Sequence, residues 1–313
     1  MDRNSFSIII PLIGREQAFD DTLASVLRSK SADCQIIVAH DGTYSDPYDL
    51  RREVTFVQSD DGSDSVAALL NAAIPSATCA MTAIVKPGSE LPEGWNESVA
   101  SAFDDQSVGS VAAPIVHADT QDRIATGGVI LGAGLNRKLV GAGQRLGKRS
   151  TKKLRPLGPT LWAGFYRTSL LQVVAPLCEQ MAPCYLDVEI ALAARSLDLS
   201  CHWLPEVAIY IDQPKAIQAE ARQPHGRSAQ RAARRHGLNS GIASRMINAG
   251  FELLSSPLFP NMFPHAIGRL FAGHAQADTD FHRKLVDSVS DLSQQASTRL
   301  APRSVLPPAR RAA

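Results

Sequence analysis

Phe6-Ser7-Ile8-Ile9-Ile10-Pro11, then Phe19, Leu23, Val26 and Leu27 at helical spacing, then Gln35-Ile36-Ile37-Val38-Ala39-His40-Asp41-Gly42-Thr43-Tyr44-Ser45-Asp46: this opening stretch decides the fold. Two short apolar runs rich in β-branched residues flank a segment, about residues 15–30, whose apolar side chains share one helical face. Two strands joined by one helix read as a right-handed βαβ unit with parallel strands. In such sheets ligands bind beyond the carboxyl ends of the strands, where Asp41 and Gly42 fall. By itself Asp41-Gly42 is equally an ordinary turn after a strand.

Outward from this unit, strands and helices keep alternating. Residues 54–58 read as a strand, 60–64 as a turn, and 65–74 as a helix with Val66, Leu69, Leu70 and Ala73 on one face. The unbroken apolar run 79–85 suits a central strand buried on both faces. It ends in Lys86-Pro87-Gly88-Ser89, followed by a helix over 93–103 that contains Trp95. Residues 108–116, 124–131 and 200–210 read as further strands, Pro205 marking the last as an edge. Helices are expected over 168–174 and around 185–195. Between the strand over 124–131 and the first of these helices, residues 132–157 hold Arg145, Lys148, Arg149, Lys152, Lys153 and Arg155 close together with no acid among them, a composition expected of a mobile loop. The alternation predicts an α/β fold, a Rossmann-like, mostly parallel sheet flanked by helices.

The chain of 313 residues is long enough for one large α/β domain and an appendage. A net charge of +1 argues against a globally basic nucleic-acid binder. No apolar run reaches the roughly 18–20 residues that cross a bilayer, and no leader peptide is read at the start. Five scattered cysteines, Cys34, Cys79, Cys178, Cys184 and Cys201, suggest reduced thiols and a cytoplasmic protein. From Lys215 onward 14 Lys and Arg stand against 6 Asp and Glu. The expected division is therefore a domain over 1–215, a basic helical extension over 216–296, and a Pro-, Ala- and Arg-rich tail over 297–313 read as disordered. That basic end leaves peripheral attachment to an anionic membrane face, or to a protein partner, as an expectation.

The ordered motifs resemble the family 2 glycosyltransferases, whose fold is GT-A, the nucleotide-diphospho-sugar transferase fold. The matching residues are Ile10-Pro11, Thr22-Leu23-Ala24-Ser25-Val26-Leu27 and His40-Asp41-Gly42-Thr43-Tyr44-Ser45-Asp46. Behind them come Asn71, Leu91-Pro92-Glu93-Gly94-Trp95, Gly158 to Arg167, and Leu186-Asp187-Val188-Glu189 leading to Arg195. The resemblance covers residues 5–215. It implies a nucleotide-sugar donor held by Pro11, Asp41, Asn71 and Arg167, a carbohydrate or glycan-lipid acceptor, and Asp187 as catalytic base with Glu189 beside it. The departures are as informative. Lys86 and Gly88 stand where the family carries its metal-binding Asp-x-Asp pair. His40 replaces a usual Asp, Leu186 replaces an acid, and Tyr210-Ile211-Asp212 stands where a metal-ligand His is frequent.

Transfer from a nucleotide sugar needs nucleoside recognition, neutralisation of the leaving diphosphate, and a base for the acceptor hydroxyl. A divalent manganese or magnesium ion normally supplies the second. Lys86 has no acceptor lone pair and Gly88 no side chain, so such an ion is in doubt here. Either Lys86 stabilises the phosphates directly, or the fold survives as an inactive module that binds a nucleotide, a glycan or a partner. Each assigned residue also has a plain structural reading: Asn71 as a surface amide, Asp187 as a helix-start charge, Trp162 and Trp203 as core or cleft walls.

Overall fold

The computed structural model describes residues 5–14, 16–30, 34–119, 122–147, 153–211, 223–238, 242–255 and 262–272, together with 278, 280–281 and 283–288. The opening unit forms as expected: β1 (Phe6–Pro11), α1 (Glu16–Ser29) and β2 (Gln35–His40), with β1 and β2 parallel and Ile8 opposite Ile36. Side chains alternate along β1. Phe6, Ile8 and Ile10 face Phe19, Leu23 and Val26 of α1, while Ile9 faces the opposite layer. Each large side chain buried this way stabilises the fold by about 1.5–3 kcal/mol. Next come β3 (Val54–Gln58), α2 (Val66–Ala73) and β4 (Met81–Val85). The Ser65 hydroxyl caps α2 by accepting from the Ala68 N–H at 3.1 Å.

The chain continues with β5 (Ser89–Glu90), α3 (Trp95–Ala102), β6 (Val108–Ala112), β7 (Ile115–His117), β8 (Ile124–Thr126), β9 (Val129–Leu131) and β10 (Arg137–Leu139). It closes the sheets with β11 (Ala163–Arg167), α4 (Thr168–Val174), α5 (Pro183–Ser196), β12 (Ser200–Trp203) and β13 (Ile209–Ile211). The main sheet has the order β12-β6-β11-β4-β1-β2-β3, and β11 alone runs antiparallel to its neighbours. A second sheet, β5-β13-β7-β8, stands beside it.

Three expected strands are each two. Residues 108–116 break at Ala113-Pro114, where proline has no N–H for the ladder, and β7 joins the second sheet. Residues 124–131 break at Gly128, whose φ of 109° lies outside the range other residues adopt easily. Residues 200–210 break around Pro205, so β12 edges the main sheet and β13 lies inside the second. The basic segment is also less free than its composition suggests. Arg145 pairs with Asp122 at 3.1 Å, and the Leu157 N–H bonds to the Val129 carbonyl at 2.7 Å. Lys148, Arg149 and Lys152 lie outside the described residues, as do Asp212 and the tail.

The extension forms α6 (Gln223–Arg235), α7 (Ile242–Ser255) and α8 (Met262–Leu270). Pro224 is tolerated because it falls in the first turn of α6, where its missing N–H would have no partner. Gly226 is required by contact: a Cβ there would overlap the His265 carbonyl of α8. Ala229 and Ala232 of α6, with Phe281 and Leu285, belong to the same buried cluster as α2, α4 and α5.

Candidate active site

Because β1, β2 and β4 are parallel and adjacent, their carboxyl ends bring Pro11, Asp41 and Lys86 to one edge of the main sheet. Pro11 is the last residue of β1, and the pairing runs one step further through Leu12 N–H to the Ala39 carbonyl at 2.7 Å. Asp41 Oδ1 accepts from the Thr43 N–H at 2.9 Å and the Thr43 hydroxyl at 2.7 Å. These bonds from Thr43 hold the Asp41 carboxyl below its ordinary value, so it is an anionic acceptor at neutral pH. His40 Nδ1 accepts from the Gly42 N–H at 3.1 Å, which tucks the turn against the strand end. Tyr44 stacks on Phe56 at 5.7 Å and meets the edge of Phe19 at 5.4 Å. Beside this turn, His40, Tyr44, Asp46, Arg51 and Phe56 line an open hollow of about 590 Å³.

Lys86 follows β4 directly. Its N–H bonds to the Trp162 carbonyl at 3.0 Å, and the Ser89 hydroxyl donates to the same oxygen at 3.1 Å. Since β11 is antiparallel to β4, Trp162, immediately before β11, lies at the same edge, and the Lys86 ammonium sits 4.4 Å from the centre of its ring. A cation over an indole face is held by the ring quadrupole. Gly88 adopts φ 87°, and its N–H is bound by the Ala18 carbonyl and the Thr22 hydroxyl of α1. The residues of this turn do not suit a divalent ion: one is cationic, one lacks a side chain, and among the described residues no cluster of three His, Cys, Asp or Glu is arranged to hold one.

Three other assigned residues lie elsewhere. Arg167 ends β11 opposite Met81, the first residue of β4, and so stands at the opposite edge of the sheet from Lys86. Its guanidinium donates to the carbonyls of Val108, Phe103 and Asp105 at 2.7–2.8 Å, tying the end of α3 to β6. Partial burial lowers its pKa, opposed by Asp105. Asn71 spends both ends of its amide on Leu177, donating to its carbonyl at 3.0 Å and accepting from its N–H at 2.6 Å. Glu189 has no exposed surface; Arg235 of α6 pairs with it at 2.5 Å and the Cys178 N–H donates to its other oxygen at 3.2 Å. In this arrangement all three hold elements together and do not face the Asp41–Lys86 edge. Burial pushes the Glu189 carboxyl up despite Arg235.

Asp187 is the fifth residue of α5, one turn inside the helix and buried. Both its oxygens are engaged by Arg137 on β10, Nε at 3.1 and 3.2 Å and Nη2 at 2.7 Å. The same hairpin is gripped by the Tyr185 hydroxyl, 3.3 Å from the Leu135 carbonyl, and by Arg269, which donates to the Gly134 carbonyl at 2.6 Å. Arg137 was not distinguishable in the sequence, being one base among many in a glycine-rich segment.

Sequence comparison finds no matching family model and no matching curated protein. Structural comparison does find chains of similar fold. GalNAc-T7, solved with UDP, GalNAc and Mn2+, superposes with a TM-score of 0.58 at 10% identity over 95% of this chain. S. aureus TarS 1-349 gives 0.50 at 15% identity over 96% of it, and its complex with UDP gives 0.50 at 14%. The fold is GT-A. The chain spans 58% of the GalNAc-T7 chain and 93% of TarS 1-349.

Within this GT-A fold, the sequence reading of Pro11, Asp41 and Lys86 picks out residues the sheet gathers at one edge. It did not foresee Trp162 as the platform under Lys86, nor Arg137 as the partner of Asp187. Trp162 carries a usable signal, since an antiparallel strand next to β4 starts where β4 ends. Arg137 carries none, because a side-chain ion pair across 50 residues leaves no local pattern.

Proposed function

We propose that this chain is a glycosyltransferase-like protein that binds a nucleotide-sugar donor at the edge formed by Pro11, Asp41 and Lys86. The observation that carries this is the fixed Lys86 ammonium on Trp162, at the same strand ends as the anionic Asp41. Asp41 would accept hydrogen bonds from the nucleoside, and Lys86 would face the diphosphate. A positioned cation stabilises charge developing on a leaving group as a metal does, without reorganisation during the reaction. Family 2 membership and metal-independent transfer to a carbohydrate or glycan-lipid acceptor are part of this proposal, with Asp187 as base.

A second reading is favoured by one contact. Arg137 engages both oxygens of Asp187, the atoms a catalytic base would offer to an acceptor hydroxyl. If that pair persists with donor bound, the protein is a non-catalytic nucleotide- or glycan-binding relative.

Calorimetric titration with UDP- and GDP-sugars, with and without manganese, tests the donor site. The expected result is binding without metal that weakens at least about tenfold in Lys86→Ala. Binding that requires manganese overturns the Lys86 reading. Donor turnover lost in Asp187→Asn supports transfer; donor binding without turnover, unchanged in Asp187→Asn, supports the second reading.

A further inference from the structure

Four arginines from two helices of the extension gather where α8 ends. Arg227, Arg231 and Arg234 follow one another at four- and three-residue spacing along one stripe of α6, and Arg245 lies in the first turn of α7. Arg234 donates to the Ala272 carbonyl at 2.8 Å and Arg245 donates to the same oxygen at 3.4 Å, so their guanidinium groups lie side by side. Arg231 donates to the Gln180 carbonyl at 3.0 Å. Gln180, Arg227, Arg231, Phe271 and Ala272 together line a hollow of about 300 Å³.

The charges there do not balance. Asp278 is shared, 3.5 Å from Arg231 and 3.9 Å from Arg235, and Arg235 is already paired with Glu189. Among the described residues Arg227 and Arg245 pair with no acid, and the Arg245 Nε is buried without a hydrogen-bond partner. Glu179, beside Gln180, is exposed and forms no ion pair among them either. Five guanidinium groups therefore stand against two carboxylates, Glu189 and Asp278. Partial burial lowers the Arg234 pKa, Asp278 opposes this, and Arg245 and Arg231 lower it further, as neighbouring like charges do. Ties to backbone carbonyls account for Arg231 and Arg234, but Arg227 makes none among the described residues and still lines the hollow. A cluster of partly buried like charges costs stability until an anion joins it. A carboxylate brings one charge and one edge, which a single guanidinium fork satisfies. A phosphate dianion brings nearly two and presents its oxygens in several directions, so guanidinium groups from separate helices can share it.

We propose that this hollow binds a phosphate dianion, free or as the end group of a small phosphomonoester. Arg227 and Arg231 hold its oxygens, while Arg234 and Arg245 add positive charge from the Ala272 side. The bound anion ties α6 to the start of α7 and the end of α8. The site shares no residue with the donor edge at Asp41 and Lys86, and its test uses no nucleotide sugar.

The full chain is unfolded thermally, and titrated by calorimetry, in potassium phosphate against potassium chloride of equal ionic strength. Phosphate should raise the melting temperature where chloride does not, with a saturable heat of binding. Arg227 is exposed, so Arg227→Gln should fold normally and weaken phosphate binding about tenfold. Arg227→Lys, which keeps the charge, should retain more of the affinity. Lys86→Ala should bind phosphate as wild type does, which separates this hollow from the donor edge. Glycerol 3-phosphate distinguishes the sources: tighter binding than inorganic phosphate assigns the hollow to a phosphomonoester, and equal or weaker binding assigns it to the free ion. Equal melting temperatures in phosphate and chloride, binding unchanged in Arg227→Gln, or binding lost in Lys86→Ala would overturn the proposal.

Discussion

Arg137 and Asp187 meet in a bidentate ion pair that joins the β9–β10 hairpin to α5, with side chains only 11% and 1% exposed. Removing one member of a buried pair leaves an uncompensated charge, which typically costs about 3–5 kcal/mol. Arg137→Ala should therefore lower the urea-derived stability by about that amount. Arg137→Met with Asp187→Leu, close in volume and uncharged, should be nearly neutral. A loss below about 1 kcal/mol for Arg137→Ala would mean the pair is hydrated in solution.

Asn71 and Arg167 give the opposite test, because the resemblance assigns them to the donor and the structure gives them to the backbone. Asn71→Ala strands the N–H and carbonyl of Leu177, and Arg167→Ala strands three carbonyls. Each should cost about 1–3 kcal/mol of stability. Nucleotide-sugar affinity measured by calorimetry at low temperature should stay within about twofold of wild type, a difference of under half a kcal/mol. A tenfold loss of affinity without a stability change would return either residue to the donor site.

These two residues also show what a sequence can and cannot convey. The βαβ opening was legible because period-two and period-3.6 patterns record which faces are buried, and β1 alternates as those patterns require. Asp41 and Lys86 were legible because a residue directly after a parallel strand is placed by the strand itself. Arg167 stands at the opposite edge because β11 runs antiparallel, a fact of topology that the residues of β11 do not encode. Glu189 looked like a site acid because its partner, Arg235, lies 46 residues away on a helix beyond the recognisable motifs. Nor does periodicity report whether anything covers an apolar face, and that of α7 is exposed.

Gly226 and His265 hold α6 and α8 in backbone contact, with no room for a side chain between them. Gly226→Ala should force the helices apart and destabilise the protein by about 1–3 kcal/mol, despite the better helix propensity of alanine. Thermal unfolding checks the sign. A stabilised Gly226→Ala would show that propensity outweighs the contact and that α6 and α8 are loosely packed.

Glu252 sits between Arg269, 2.8 Å from its Oε1, and His265, whose Nδ1 is 3.0 Å from Oε2. Burial pushes its carboxyl up, but His265 and Arg269 outweigh burial and leave it below the ordinary Glu value of 4.5. With the folded pKa depressed, the unfolded chain binds more protons in the interval between the two values. The stability Glu252 contributes is therefore complete above about pH 4.5 and is lost as the pH falls through the folded value. Glu189, raised by burial, tilts stability the other way above that point, so the comparison must isolate Glu252. Glu252→Gln should be less stable than wild type at pH 7, and the gap should narrow steadily as urea unfolding is repeated from pH 5 downward. A gap independent of pH would show that Glu252 acts through packing alone and carries no charge-dependent tie between α7 and α8.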